Sequence, residues 1–114
     1  MDEQKQARIQ STIQKELGKI IERDLDVNPS TLVTITTVEY LPDNHLARVN
    51  ISVFPENEQE QIISQLNRLA KTFVLALQKR IKMGYIPNLI FKYDAGIVKN
   101  ARIQELIAKN KKSS

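Results

Sequence analysis

The chain has 114 residues, 41% of them apolar and 26% charged, with a formal net charge of +4; this is one domain's length and enough to bury a core without staples. No cysteine is present, so a disulfide framework, a thiolate metal site and a cysteine nucleophile are excluded, and no apolar run approaches the roughly 18 residues of a membrane span. With no signal-peptide core either, the expected compartment is the cytoplasm.

Residues 1–25 read as a first helix. Ile9, Ile13, Leu17, Ile20, Ile21 and Leu25 form an apolar stripe, and Asp2 and Glu3 complement the positive end of the helix dipole. Gly18 lies inside it at a cost near ~1 kcal/mol relative to Ala, with close backbone packing or an uncompensated position as the two readings. Asp26 to Ser30, containing Asn28-Pro29, ends the helix.

Two strands follow. Leu32–Leu41 is rich in Val, Ile and Thr, and in Leu46–Phe54 the residues Ala47, Val49, Ile51 and Val53 alternate with Arg48, Asn50 and Ser52. Pro42-Asp43-Asn44-His45 between them is a turn-former, so the pair is expected to make an antiparallel hairpin. Pro55-Glu56-Asn57 stops the second strand.

From Glu58 the period changes to 3.6 residues. Ile62, Ile63, Leu66, Leu69, Ala70, Phe73, Val74, Leu77 and Ile81 describe one long amphipathic helix, with Arg68, Lys71, Gln78, Lys79 and Lys82 between them. Gly84 breaks the period, and Tyr85-Ile86-Pro87 forces extended backbone. Asn88–Tyr93 reads as a third strand, with Leu89, Phe91 and Tyr93 opposite Asn88, Ile90 and Lys92. After Asp94-Ala95-Gly96, residues Ile97–Ala108 fit a short last helix, and 109–114 form a basic tail with nothing to bury. The division is one domain over 1–108 and a disordered tail over 109–114.

Catalysis has little to work with. His45, the only histidine, sits in a turn and reads as a solvated residue. The acidic residues show no metal-ligand or general-acid spacing, and no glycine-rich phosphate loop exists. No metal, cofactor or small-molecule substrate is expected.

The basic residues carry the signal. Residues 1–57 hold six Lys and Arg against nine Asp and Glu, a net of −3; residues 58–114 hold eleven against four, a net of +7. Such asymmetry points to a polyanion meeting one face. The candidate RNA-binding residues are Arg68, Lys71, Lys79, Arg80, Lys82, Lys92, Lys99 and Arg102. They are expected to line the outer side of the long helix and the edge beside it, away from the first helix. Exposed aromatics for stacking reduce to Tyr85 and Tyr40, which favours recognition of RNA shape and backbone.

Several stretches resemble a known family. Thr34-Ile35-Thr36-Thr37-Val38-Glu39 with Pro42-Asp43, then Ala47-Arg48-Val49-Asn50-Ile51-Ser52-Val53, resembles the hairpin of bacterial ribosome-binding factor A. Ile86-Pro87-Asn88-Leu89-Ile90-Phe91-Lys92-Tyr93-Asp94 is similar to that family's V-P-E-L-x-F-x-Y-D sequence, and Ala101-Arg102-Ile103 with Leu106 to its closing A-R-I-x-x-L. The resemblance covers roughly residues 5 to 108. It implies an α+β, KH-like type II fold, helix-strand-strand-helix-kink-helix-strand, with helices packed on one face of a three-stranded sheet. It further implies a monomeric, non-enzymatic factor that binds the small (30S) ribosomal subunit and its rRNA and assists late rRNA processing. The family's A-x-G kink falls on Ala70-Lys71-Thr72, where the third residue is Thr instead of Gly. Because the apolar stripe runs through this point, only a local irregularity is expected near 70–72. The alternatives are a protein–protein adaptor and a general KH-like RNA-binding protein.

Overall fold

The computed structural model describes residues 3–82 and 85–94. The expected last helix over 97–108 and the tail over 109–114 lie outside them, as do Lys99 and Arg102.

β2 (Leu46–Phe54) is the middle strand of a three-stranded mixed sheet. Its alternation decides that place: Ala47, Val49, Ile51 and Val53 are all buried on one face. β1 (Leu32–Leu41) pairs with it antiparallel through the hairpin, Leu41 opposite Leu46 and Leu32 opposite Phe54. β3 (Asn88–Tyr93) pairs with it parallel, Leu46 opposite Asn88 and Ile51 opposite Tyr93. A parallel neighbour requires a crossover, and α2 (Gln59–Arg68) with α3 (Ala70–Arg80) supplies it. The order helix, strand, strand, helix, helix, strand is the α+β arrangement that the resemblance implies.

β1 carries a bulge between Ile35 and Thr37. Its apolar residues change phase there, from Val33 and Ile35 to Val38 and Tyr40. One extra residue, Thr36, keeps both sets on the core side. The Thr36 hydroxyl lies against the Asn50 carbonyl at 3.2 Å and bonds the Asp94 carboxylate.

The core lies between the sheet and the helices. α1 (Glu3–Asp24) contributes Ile13, Leu17, Ile20 and Ile21, α2 Ile62 and Leu66, and α3 Phe73 and Leu77. Phe73 meets Phe91 of β3 edge to face, with centroids 5.9 Å apart at 73°. Gly18 has no packing role: a Cβ built there meets nothing within 4 Å, so it is an uncompensated interior glycine.

The long helix expected from periodicity is interrupted at one residue. Leu69 has φ −94° and ψ 4°, and its N–H is shared between the carbonyls of Gln65 at 3.2 Å and Leu66 at 3.1 Å. Ala70, Lys71 and Thr72 form the first turn of α3, and Phe73 N–H donates to Leu69 O at 2.9 Å. Apolar spacing reports which side is buried and says nothing about single hydrogen bonds; the stripe Ile62, Leu66, Phe73, Leu77 stays buried across the break.

Asn67, two residues before the break, is paired with β3. Its Nδ2 donates to Phe91 O at 3.0 Å and its Oδ1 accepts from Phe91 N–H at 2.8 Å. The carboxamide thus satisfies both backbone groups that Phe91 presents on the side of β3 away from β2.

Candidate nucleic-acid interface

α3 presents its outer surface through residues four apart. Lys71, Leu75 and Lys79 fall at i, i+4 and i+8 and are all exposed, opposite the buried Phe73 and Leu77. Lys82 follows just past the helix end and Arg68 closes α2; both are exposed. Among the described residues, no carboxylate stands within ion-pair distance of Arg68, Lys71, Lys79, Lys82 or Lys92. Their charge is directed to solvent, where it can meet phosphate.

Arg80 is placed otherwise. It lies seven residues after Phe73, which on a helix is the packed side, and there it meets α1. Its Nε donates to Glu16 Oε2 at 2.9 Å. This bond, with Lys19 and Lys15 of α1 nearby, holds the Glu16 carboxyl below its usual range. The expectation that the basic residues all avoid the first helix is therefore corrected at Arg80. α1 itself carries Lys5, Arg8, Lys15, Lys19 and Arg23 against Glu3, Glu16, Glu22 and Asp24. The acidic excess of the first half sits elsewhere, at Asp2, Asp26, Glu39, Asp43 and Glu56.

Lys92 is also separate. Leu89 and Phe91 of β3 are buried toward the helices, so Lys92 projects from the opposite, open face of the sheet. Across the register it neighbours Asn50, and one step away Arg48 is paired with Glu39. The structure thus brings Arg68, Lys71, Lys79 and Lys82 onto the helical side and leaves Lys92 on the other.

The aromatic assignments change as well. Tyr40 is only 6% exposed, and its backbone is occupied by α1: Gln6 Nε2 donates to Tyr40 O and Tyr40 N–H to Gln10 Oε1, each at 2.9 Å. It offers no stacking surface. Tyr85 is 49% exposed and has a ring partner that sequence reading assigned to solvent. The His45 ring lies 5.7 Å from it at 74°. No sequence signal joins these two residues; the parallel register of β3 beside β2 does, through Asn88 N–H donating to His45 O at 3.0 Å. Leu75, 59% exposed within the cationic stripe, was also outside the apolar pattern.

No described helix is long and apolar enough to cross a membrane. Among the described residues no group of three or more His, Cys, Asp or Glu could hold a metal ion.

The sequence is similar to known proteins over most of its length. A family model described as ribosome-binding factor A matches residues 5–107. The ribosome-binding factor A of Brevibacillus brevis is 30% identical over 108 residues, covering 94% of this chain and 89% of that protein. The protein of the same description from Pseudomonas fluorescens is 35% identical over 103 residues, covering 88% and 77%. Among solved structures, the crystal structure of ribosome-binding factor A from Thermus thermophilus aligns with a TM-score of 0.66 at 25% identity, over 77% of this chain and 93% of that one. A Thermus thermophilus ribosome-binding factor A model fitted into a cryo-EM map of its 30S complex aligns with a TM-score of 0.64 at 25% identity, over 76% and 92%.

Proposed function

The chain belongs to the ribosome-binding factor A family, and from that premise we propose that it binds the small ribosomal subunit, contacts rRNA and assists late rRNA processing. It does so as a monomeric cytoplasmic binding factor without catalysis. The observation that carries the reading on this chain is the cationic stripe of α3, Lys71 and Lys79, continued by Lys82, none of which pairs with a carboxylate among the described residues. Unpaired ammonium groups held on one rigid helix suit a phosphate backbone, whose condensed counterions they displace. Support for subunit binding comes from the Thermus thermophilus relative, whose homology model was fitted into the cryo-EM map of a 30S complex. Arg68 extends the stripe; Arg80, fastened to Glu16, positions α1 and contributes less. Lys92, Lys99 and Arg102 are secondary contacts in this proposal. The adaptor reading has one observation behind it, the cross-strand pair Leu32 and Phe54, exposed 63% and 67% at one end of the sheet.

Co-sedimentation with small subunits across a salt series tests the proposal. Affinity falls linearly with salt on logarithmic axes, and Lys79→Ala and Lys82→Ala each reduce the slope's magnitude by roughly one. Stability changes by no more than about 0.5 kcal/mol, as for other surface substitutions. Joint neutralisation of Lys71, Lys79 and Lys82 with no effect on subunit binding or its salt dependence would overturn it.

A further inference from the structure

Resting on the RNA-binding reading above, we propose that His45 and Tyr85 form a stacking site for one unpaired RNA base at the tip of the β1–β2 hairpin. The two rings stand 5.7 Å apart at 74°. A base laid on the free face of one ring meets the other ring edge-on. Both residues are exposed, Tyr85 by 49%.

The platform is built in advance of any ligand. His45 has φ 51°, a left-handed backbone that few non-glycine residues adopt. It is held there on both sides: His45 N–H donates to Pro42 O at 3.2 Å, and its own carbonyl accepts from Asn88 at 3.0 Å. Tyr85 is followed by the buried Ile86 and Pro87, which fix the backbone that carries it. A tyrosine has two side-chain torsions to lose, so stacking on a held ring costs little ordering.

Charge selects a nucleotide as the occupant. Lys82, three residues before Tyr85, is exposed and has no carboxylate partner among the described residues, and Lys79 lies on the last turn of α3. A strand following the stripe with its phosphates can therefore turn a base onto the rings. Asp43 in the same turn repels phosphate at the tip itself, which leaves the base as the group that lands there. The stripe alone reads backbone and accepts duplex or single strand; the ring pair adds a preference for unpaired RNA.

The test titrates the full chain into a short single-stranded RNA carrying one 2-aminopurine, and into a duplex of the same length. The parent quenches 2-aminopurine and binds both. Tyr85→Leu and His45→Asn, the latter keeping a residue tolerant of positive φ, each lose the quench. Each also weakens single-strand binding about tenfold, as expected for one lost base–ring stack. Duplex binding and the salt slope stay at parent values, and Tyr85→Phe behaves as the parent. The site is refuted if Tyr85→Leu binds the single strand as the parent does, or loses both RNAs equally. A parent that binds neither RNA removes the RNA-binding reading together with the site, whereas a parent that binds both, insensitive to Tyr85, removes the site alone.

Discussion

The two edges of the sheet are covered by helices in different ways. At β3, a single Asn67 at the end of α2 makes two hydrogen bonds to one residue, Phe91. At β1, three glutamines on successive turns of α1 make one bond each: Gln6 to Tyr40 O, Gln10 to Tyr40 N–H, and Gln14 to Ile35 O at 3.3 Å. A carboxamide has the donor and acceptor of a peptide group, so it can stand in for a missing neighbouring strand. The short asparagine side chain holds both ends at once and gives up little conformational freedom. The longer glutamines divide the same task and each loses more rotamer entropy. Toward its start, β1 has none of these bonds and lines a groove of about 610 Å³ with Lys15, Gly18 and Lys19 of α1. An edge that faces a helix is closed by the side chains in reach, and exposed where they run out.

The largest effect is expected from breaking the β3 side. Asn67→Ala leaves the Phe91 N–H and C=O without their protein partner and lowers stability by about 2 kcal/mol. Amide exchange at Phe91 accelerates with it. Asn67→Asp does not rescue, because it keeps the acceptor and sets a carboxylate against the Phe91 carbonyl. A variant melting within a degree of the parent would mean that water replaces the carboxamide freely.

The β1 side should yield less to a single change. Gln10→Ala removes the only side-chain acceptor bonded to Tyr40 N–H among the described residues. Gln6 and Gln14 still hold the strand, so the expected loss is about 1 kcal/mol. Exchange should quicken at Tyr40 and not at Phe91. Equal losses from Asn67→Ala and Gln10→Ala would erase the distinction between the two edges.

The smallest effect concerns how α1 is fastened to α3. The Arg80 hydrogen bond to Glu16 lowers that carboxyl's pKa in the folded chain. A depressed acid contributes stability above its unfolded pKa and loses it as pH falls through the folded value. Arg80→Ala should therefore move the Glu16 titration upward in a carboxyl-detected NMR series. The stability difference from the parent should shrink as pH falls through the lowered Glu16 value and vanish below it. A Glu16 titration unchanged by the substitution would show that the pair does not persist in solution.

Much of the fold was legible because it is written in local periods. The alternation of Ala47, Val49, Ile51 and Val53 marked the central strand and its buried face. The spacing of Ile13, Leu17, Ile20 and Ile21 marked the packed side of α1. The phase change between Ile35 and Val38 was present in the same pattern and marks the bulge. The candidate site was legible in part: Arg68, Lys71, Lys79 and Lys82 are exposed as their spacing requires. Arg80 was grouped with them by proximity in sequence, although its seven-residue step from Phe73 places it on the packed side.

What the sequence determined by itself is therefore the kind and inward side of the described elements, since those follow from neighbours a few residues apart; the division of the long helix at Leu69 was not among them. Tertiary structure decided which distant residues became neighbours. The parallel docking of β3 on β2 set Tyr85 beside His45 and put Lys92 on the open face, and the crossover carried Asn67 to Phe91. Those meetings depend on where whole elements pack, and a hydrogen bond or ring contact between residues 24 or 40 positions apart leaves no trace in local periodicity.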